Sequence, residues 1–121
     1  AKPMTIDEKQ TQAVIDAEKR NHRKIIVGHN MRFSPAHVRI KELMLTQPVG
    51  PIRSVDFHWY LDTSHGTDYF RRWHGIKAKS GSLWVHKATH HFDYVNWLLD
   101  AEPVKVQAFG EIRRYGTAGP F

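Results

Sequence analysis

Cysteine is absent from the 121 residues. That excludes disulfide staples, thiolate metal sites and a cysteine nucleophile. No apolar run approaches the roughly 18 residues of a membrane-spanning helix, so no membrane partner is expected. Runs of like charge are missing too. Lys and Arg number 18 and Asp and Glu 12, a formal net charge of +6. A basic balance suits nucleic acid, anionic lipid or an acidic small molecule. Here the basic residues are scattered, and no nucleic-acid partner is expected. A first strand leading into Gly-x-Gly-x-x-Gly is absent as well, so a dinucleotide's pyrophosphate finds no recognisable cradle. The chain opens Ala1-Lys2-Pro3-Met4, without an initiator Met or a charged-then-apolar leader. The expectation is an internal piece of a longer protein, from a bacterial cytoplasm or, alternatively, a periplasm.

What is present is globular in composition, with 40% hydrophobic and 25% charged residues. A chain of this length buries about 65% of its unfolded surface, enough for one core. Nine His, four Trp, four Tyr and six Phe are a heavier signal. Much of that content lies between His58 and His91.

Residues 5–21 predict a helix, with Thr5 as N-cap and Glu8 completing a capping box. Residues 24–28 are β-branched and apolar, like a short buried strand. Ser34 and Pro35 open a second helix. Residues 52–61 alternate: Val55, Phe57, Trp59 and Leu61 share one face of a predicted strand. Polar loops are expected at 62–67 and 76–82, with a helical turn near Tyr69–Trp73. A third helix is predicted over 85–100, burying Phe92, Val95, Leu98 and Leu99. A second long strand is predicted over 104–113. The fold class expected is α+β, with helices packed on one face of an open, mostly antiparallel sheet.

The densest polar cluster runs from Ser80 to Asp93. On one continuous helix, His86, His90 and Asp93 would share a face at i, i+4 and i+7, with Lys87 and His91 as a neighbouring pair. Three readings compete. His90 is a general base with Lys87 orienting substrate; or His86 and His90 are metal ligands, with Asp93 or His74 as a third; or these residues cap and pack a helix start. A non-enzymatic basic binding module is a further alternative.

Three segments in order resemble the Gfo/Idh/MocA family of nicotinamide-dependent oxidoreductases. Ala1-Lys2-Pro3 is similar to the family's Glu-Lys-Pro turn. Gly28 to Pro35 resembles its Asn-x-Arg-Phe-x-Pro stretch. Ser80 to Asp93, continuing to Leu99, resembles its Gly-rich Asp…His-x-x-Asp motif and the helix after it. The resemblance implies that residues 1–30 are the last helix and strand of a Rossmann-type domain. Residues 31–121 would then be part of a C-terminal α/β domain for substrate binding and oligomerisation. It implies a sugar or polyol substrate and NAD or NADP, held mainly by residues outside this chain. It implies His90 as acid–base, with Lys2, Lys87 and His86 beside it in catalysis. Lys2, Pro3, Asn30 and Arg32 would lie at the nicotinamide end, and Asp93 would orient His90 or support the helix. Trp73, His74, Lys79, Lys87 and His91 would contact substrate, with Tyr69, Lys77 and Trp84 as further donors or stacking surfaces. No metal is expected. A homo-oligomer through the sheet face is. His86 stands where the family commonly has Asp, and Ala88 where it has Gly. Which residue takes the proton is therefore open at this point.

Overall fold

A computed structural model gives the structure and describes residues 2–46 and 50–111. The first expected helix forms as α1, Glu8–Asn21, with a different cap. Asp7 takes that place, its carboxylate accepting from the Gln10 backbone N–H at 2.8 Å. A carboxylate there satisfies an unpaired N–H and also faces the positive end of the helix dipole. The Thr5 hydroxyl meets that of Thr11 instead.

Asn30–Phe33 is a 3-10 turn, and α2 follows as Pro35–Thr46. Proline has no N–H to leave unpaired at a first helical position. The Ser34 carbonyl accepts from Val38 at 2.9 Å, which starts the helix where expected. Four short helical turns follow: two stand where loops were expected, and two lie at the expected helical turn near Tyr69–Trp73. They are α3 (Thr63–Gly66), α4 (Asp68–Arg71), a 3-10 turn (Trp73–Gly75) and α5 (Lys77–Ser80).

The third predicted helix is broken in two. Ser82–His86 forms α6 and Thr89–Leu99 forms α7, with a turn at Lys87 and Ala88. His86 therefore ends one helix and His90 begins another. The shared face of His86, His90 and Asp93 that one helix would make is not formed.

α7 is held from several sides. Arg32 grips Asp93 through two nitrogens, Nε to Oδ2 at 2.7 Å and Nη2 to Oδ1 at 2.5 Å. His37 on α2 lies with its ring 4.4 Å from that of Tyr94, which is only 7% exposed. Lys41 donates to the carbonyls of Trp97 and Leu98 at 2.9 and 3.0 Å. A cation at a helix C-terminus complements its dipole. Phe92 is not buried as expected; it is half exposed and stacks on Trp84.

The α+β expectation is corrected here. Among the described residues there are helices, turns and irregular segments, and no strand or sheet. Residues 24–28, 52–61 and 104–111 are irregular, and no ladder joins them to another segment. A strand exists only through hydrogen bonds to a neighbour, and apolar alternation reports a covered face without supplying one. Part of the expected face at 52–61 finds cover, though Val55 and Trp59 remain exposed. Phe57 and Trp59 pack their rings on His91, at 5.4 and 4.8 Å. Ile26 is 88% exposed, so 24–28 is not the buried strand that its composition suggests. Residues 112 and 113 of the last predicted strand lie outside the described residues. With no sheet, the sheet face expected to carry oligomerisation is not formed among these residues. No helix among them is long and apolar enough to cross a membrane.

Candidate active site

Two cavities flank the break between α6 and α7. The first, about 390 Å³, is lined by residues that include Lys2, Pro3, Trp73, Lys79 and His86. The second, about 210 Å³, is lined by Asn30, Met31, Trp59, Lys87, His90 and His91. Because two residues separate the helices, consecutive polar residues are dealt to opposite sides of the break.

Lys2 ties the N-terminal segment to this region. Its ammonium donates to the His86 backbone carbonyl at 2.6 Å, across 84 residues of sequence. Burial and the nearby Lys87 cation hold its pKa below the ordinary lysine value. The Lys2 charge also acts on His86, His90 and His91. Lys2 thus acts on imidazoles of both cavities from outside the 86–91 stretch.

His86 is framed by aromatic rings. The Tyr69 hydroxyl lies 2.5 Å from its Nδ1. His74 and Trp73 meet its ring edge-on, at 4.8 and 5.7 Å, and Trp73 stacks on His74 at 4.1 Å. Burial, then Lys2, His74 and Lys87, lower its pKa.

His90 sits in the first turn of α7, with the His29 ring edge-on at 5.6 Å. Burial is the largest influence on it, followed by Lys2, His29, Lys87 and His91. Together they push it down to about 4. At neutral pH it is an uncharged imidazole with a lone pair, able to accept a proton. Its Nδ1 is buried and has no hydrogen-bond partner among the described residues. Asp93, one turn on, is turned to Arg32 rather than to His90.

The structure thus brings together Lys87, His90, His91 and Asn30 on one side, and Lys2, Pro3, Trp73, Lys79 and His86 on the other, with the Lys2 charge also felt by His90 and His91. Arg32 lies near the second cavity but faces Asp93. Lys77 and Trp84 line neither cavity. His74 reaches the first only through its contacts with Trp73 and His86. Among the described residues no group of three His, Asp or Glu side chains is placed to hold a metal ion. Sequence reasoning missed the pairing of Tyr69 with His86 and the approach of His29 to His90. Neither has a periodic signal, because both contacts join segments set by turns.

The lowered imidazoles make folding sensitive to acid. His90 titrates near 4 when folded and near 6.5 when unfolded. As pH falls, the unfolded chain takes up this proton first, so the contribution to stability is complete above about pH 6.5 and lost progressively down to 4. His86 and His91 act in the same direction. Solvent access reduces the effect, leaving a loss on the order of 1–2 kcal/mol. Thermal unfolding followed from pH 7 to pH 4 is expected to show a falling Tm over that window. A flat profile would contradict the buried, neutral state of these rings.

Residues 41–118 match the sequence model of an oxidoreductase family's C-terminal alpha/beta domain, that of the Gfo/Idh/MocA proteins. The chain is 45% identical over 115 residues to a putative oxidoreductase, YteT, of Bacillus subtilis, covering 95% of this chain and 27% of that protein. It is 25% identical to an inositol 2-dehydrogenase of Rhizobium meliloti, over 99% of this chain and 35% of the relative. The same identity holds to an inositol 2-dehydrogenase/D-chiro-inositol 3-dehydrogenase of Lactiplantibacillus plantarum, over 89% of this chain and 28% of the relative. No solved structure matches. The chain spans about a quarter to a third of the length of the curated relatives it matches. With nearly two thirds of its length inside the family's C-terminal domain and its Lys-Pro turn and His90 segment in family order, the chain belongs to the Gfo/Idh/MocA oxidoreductase family.

Proposed function

We propose that this chain forms the substrate side of an oxidoreductase that moves hydride between a nicotinamide cofactor and a ring hydroxyl or carbonyl of a sugar or cyclitol. The observation that carries the reading is a part-buried, neutral His90 that shares a cavity with Lys87 and feels the charge of Lys2 from the N-terminal segment. Residues 1–30 belong to the cofactor domain in this reading and residues 31–121 to the substrate domain. The inositol dehydrogenases among the relatives favour a polyol as substrate.

The donor set fits one end of a nicotinamide dinucleotide. The Asn30 amide, Lys87 and Lys2 suit the ring and its carboxamide. The second cavity, about 210 Å³, is below the roughly 300 Å³ at which pockets for drug-sized ligands begin. The pyrophosphate needs residues beyond this chain. The cofactor, when bound, takes the hydride from the carbinol carbon. This chain's residues manage the proton. His90 accepts it from the hydroxyl as the C–H bond breaks and the carbonyl forms. Lys2 and Lys87 stabilise the negative charge that develops on that oxygen.

Reduction of NAD or NADP by the full-length protein with a panel of cyclitols and pyranoses tests the reading. Turnover of at least one of them is expected, and none from the 121-residue chain alone. A full-length protein that turns over no ring polyol with either cofactor would refute it.

A further inference from the structure

Resting on the function just proposed, we infer that Tyr69 is a positioning residue. Its hydroxyl holds His86 as the tautomer with the ring proton on Nε2, so that His86 gives the first cavity a hydrogen-bond donor and is not the proton acceptor of the reaction.

One proton lies between the Tyr69 oxygen and His86 Nδ1, which are 2.5 Å apart. Either the phenol donates to the ring nitrogen or the ring donates to the phenol oxygen. In the second arrangement the phenol proton would need another acceptor, and the hydroxyl makes no other hydrogen bond among the described residues. In the first, both groups are satisfied by one bond. Burial and Asp68 raise the Tyr69 pKa, and His86 is held neutral, which keeps the proton on the phenol oxygen and the lone pair on Nδ1. A neutral imidazole that accepts at Nδ1 carries its hydrogen at Nε2.

The ring cannot turn freely to exchange the two nitrogens. Trp73 and His74 meet it edge-on from the 3-10 turn Trp73–Gly75, and Lys2 anchors its backbone carbonyl. Nε2 is not among the buried nitrogens left without a partner, unlike Nδ1 of His74 and His90. The ring lines the first cavity. No carboxylate lines that cavity, whereas Lys2 and Lys79 do. With His86 Nε2–H they form a set of donors, suited to a substrate oxygen that only accepts. His90, on the other side of the helix break, keeps the proton-transfer role.

The test is a long-range proton–nitrogen NMR spectrum of the full-length protein with ¹⁵N-labelled histidine at pH 7. The expected result is a single His86 tautomer, unprotonated at Nδ1 and protonated at Nε2. Tyr69→Phe keeps the ring and removes the hydroxyl; the two tautomers should then mix. The same variant should lose about 10-fold in kcat/KM, with the acidic limb of its pH profile unmoved, because that limb belongs to His90. A wild-type His86 protonated at Nδ1 would overturn the inference. So would a Tyr69→Phe spectrum with the tautomer unchanged. The spectrum needs no turnover, so a missing dehydrogenase activity would refute the proposed function and leave the tautomer result standing on its own.

Discussion

Replacing His90 with Gln is expected to lower kcat by about 10²–10⁴-fold, the range for removing a positioned general base. Gln fills a similar volume and retains hydrogen bonding but cannot take a proton. KM should change little, because the loss falls on the transition state. Steady-state kinetics of the full-length protein check both quantities. In wild type the acidic limb of kcat/KM should lie well below the ordinary histidine value, since His90 stays neutral down to about 4. A variant with near wild-type kcat would remove His90 from the reaction and return the proton to His86 or Lys87.

Gly75→Ala is the substitution expected to disturb the fold most. A Cβ there would lie 2.4 Å from the backbone carbonyl oxygen of Tyr69. A carbonyl inside a helical turn cannot swing aside as a long side chain can, so the 3-10 turn Trp73–Gly75 must shift. Overpacking of this kind costs about 1–3 kcal/mol, and the backbone contact puts this case at the upper end. The damage should reach the site, because Tyr69, Trp73 and His74 frame His86. A several-degree fall in Tm with a parallel fall in kcat/KM is expected. Gly66→Ala is the control. Its nearest contact would be 3.5 Å, to a Leu61 methyl, ordinary van der Waals distance. Its Tm should stay near wild type. Equal losses in the two variants would show that the turn at Gly75 is not the constraint described.

Helices with end signals were legible from sequence. Pro35 and the helical spacing after it gave α2, and the expected span of α1 was correct at its end. The cap was misread because Thr5 and Asp7 both fit a start, and it is the Asp7 carboxylate that takes the Gln10 N–H. Thr5 finds Thr11. The break at Lys87 and Ala88 left no mark in periodicity, since His86, His90 and Asp93 fit one helix as well as two. That single turn decides the site: it sends His86 to one cavity and His90 to the other. Alternation at 52–61 was right only in part about cover: Phe57 and Trp59 meet the His91 ring, but Val55 and Trp59 stay 43% and 50% exposed. It carried no information on a hydrogen-bonded neighbour, and the α+β expectation failed on that point. Lys2 and His90 were placed in one region only by family order, and the structure puts the Lys2 charge within reach of His90. Arg32 was assigned beside the cofactor by the same route, but its guanidinium is held by Asp93, a pairing 61 residues apart that no local pattern carries.

The central claim concerns one hydrogen, and following that hydrogen tests it most directly. A cyclitol or pyranose deuterated on its ring carbons is incubated with the full-length protein and NAD or NADP, and the nicotinamide is examined by mass spectrometry. The account predicts one deuterium on the reduced nicotinamide for each carbonyl formed in the product, and loss of that transfer in the His90→Gln protein. Product formed with no deuterium in the cofactor would contradict it.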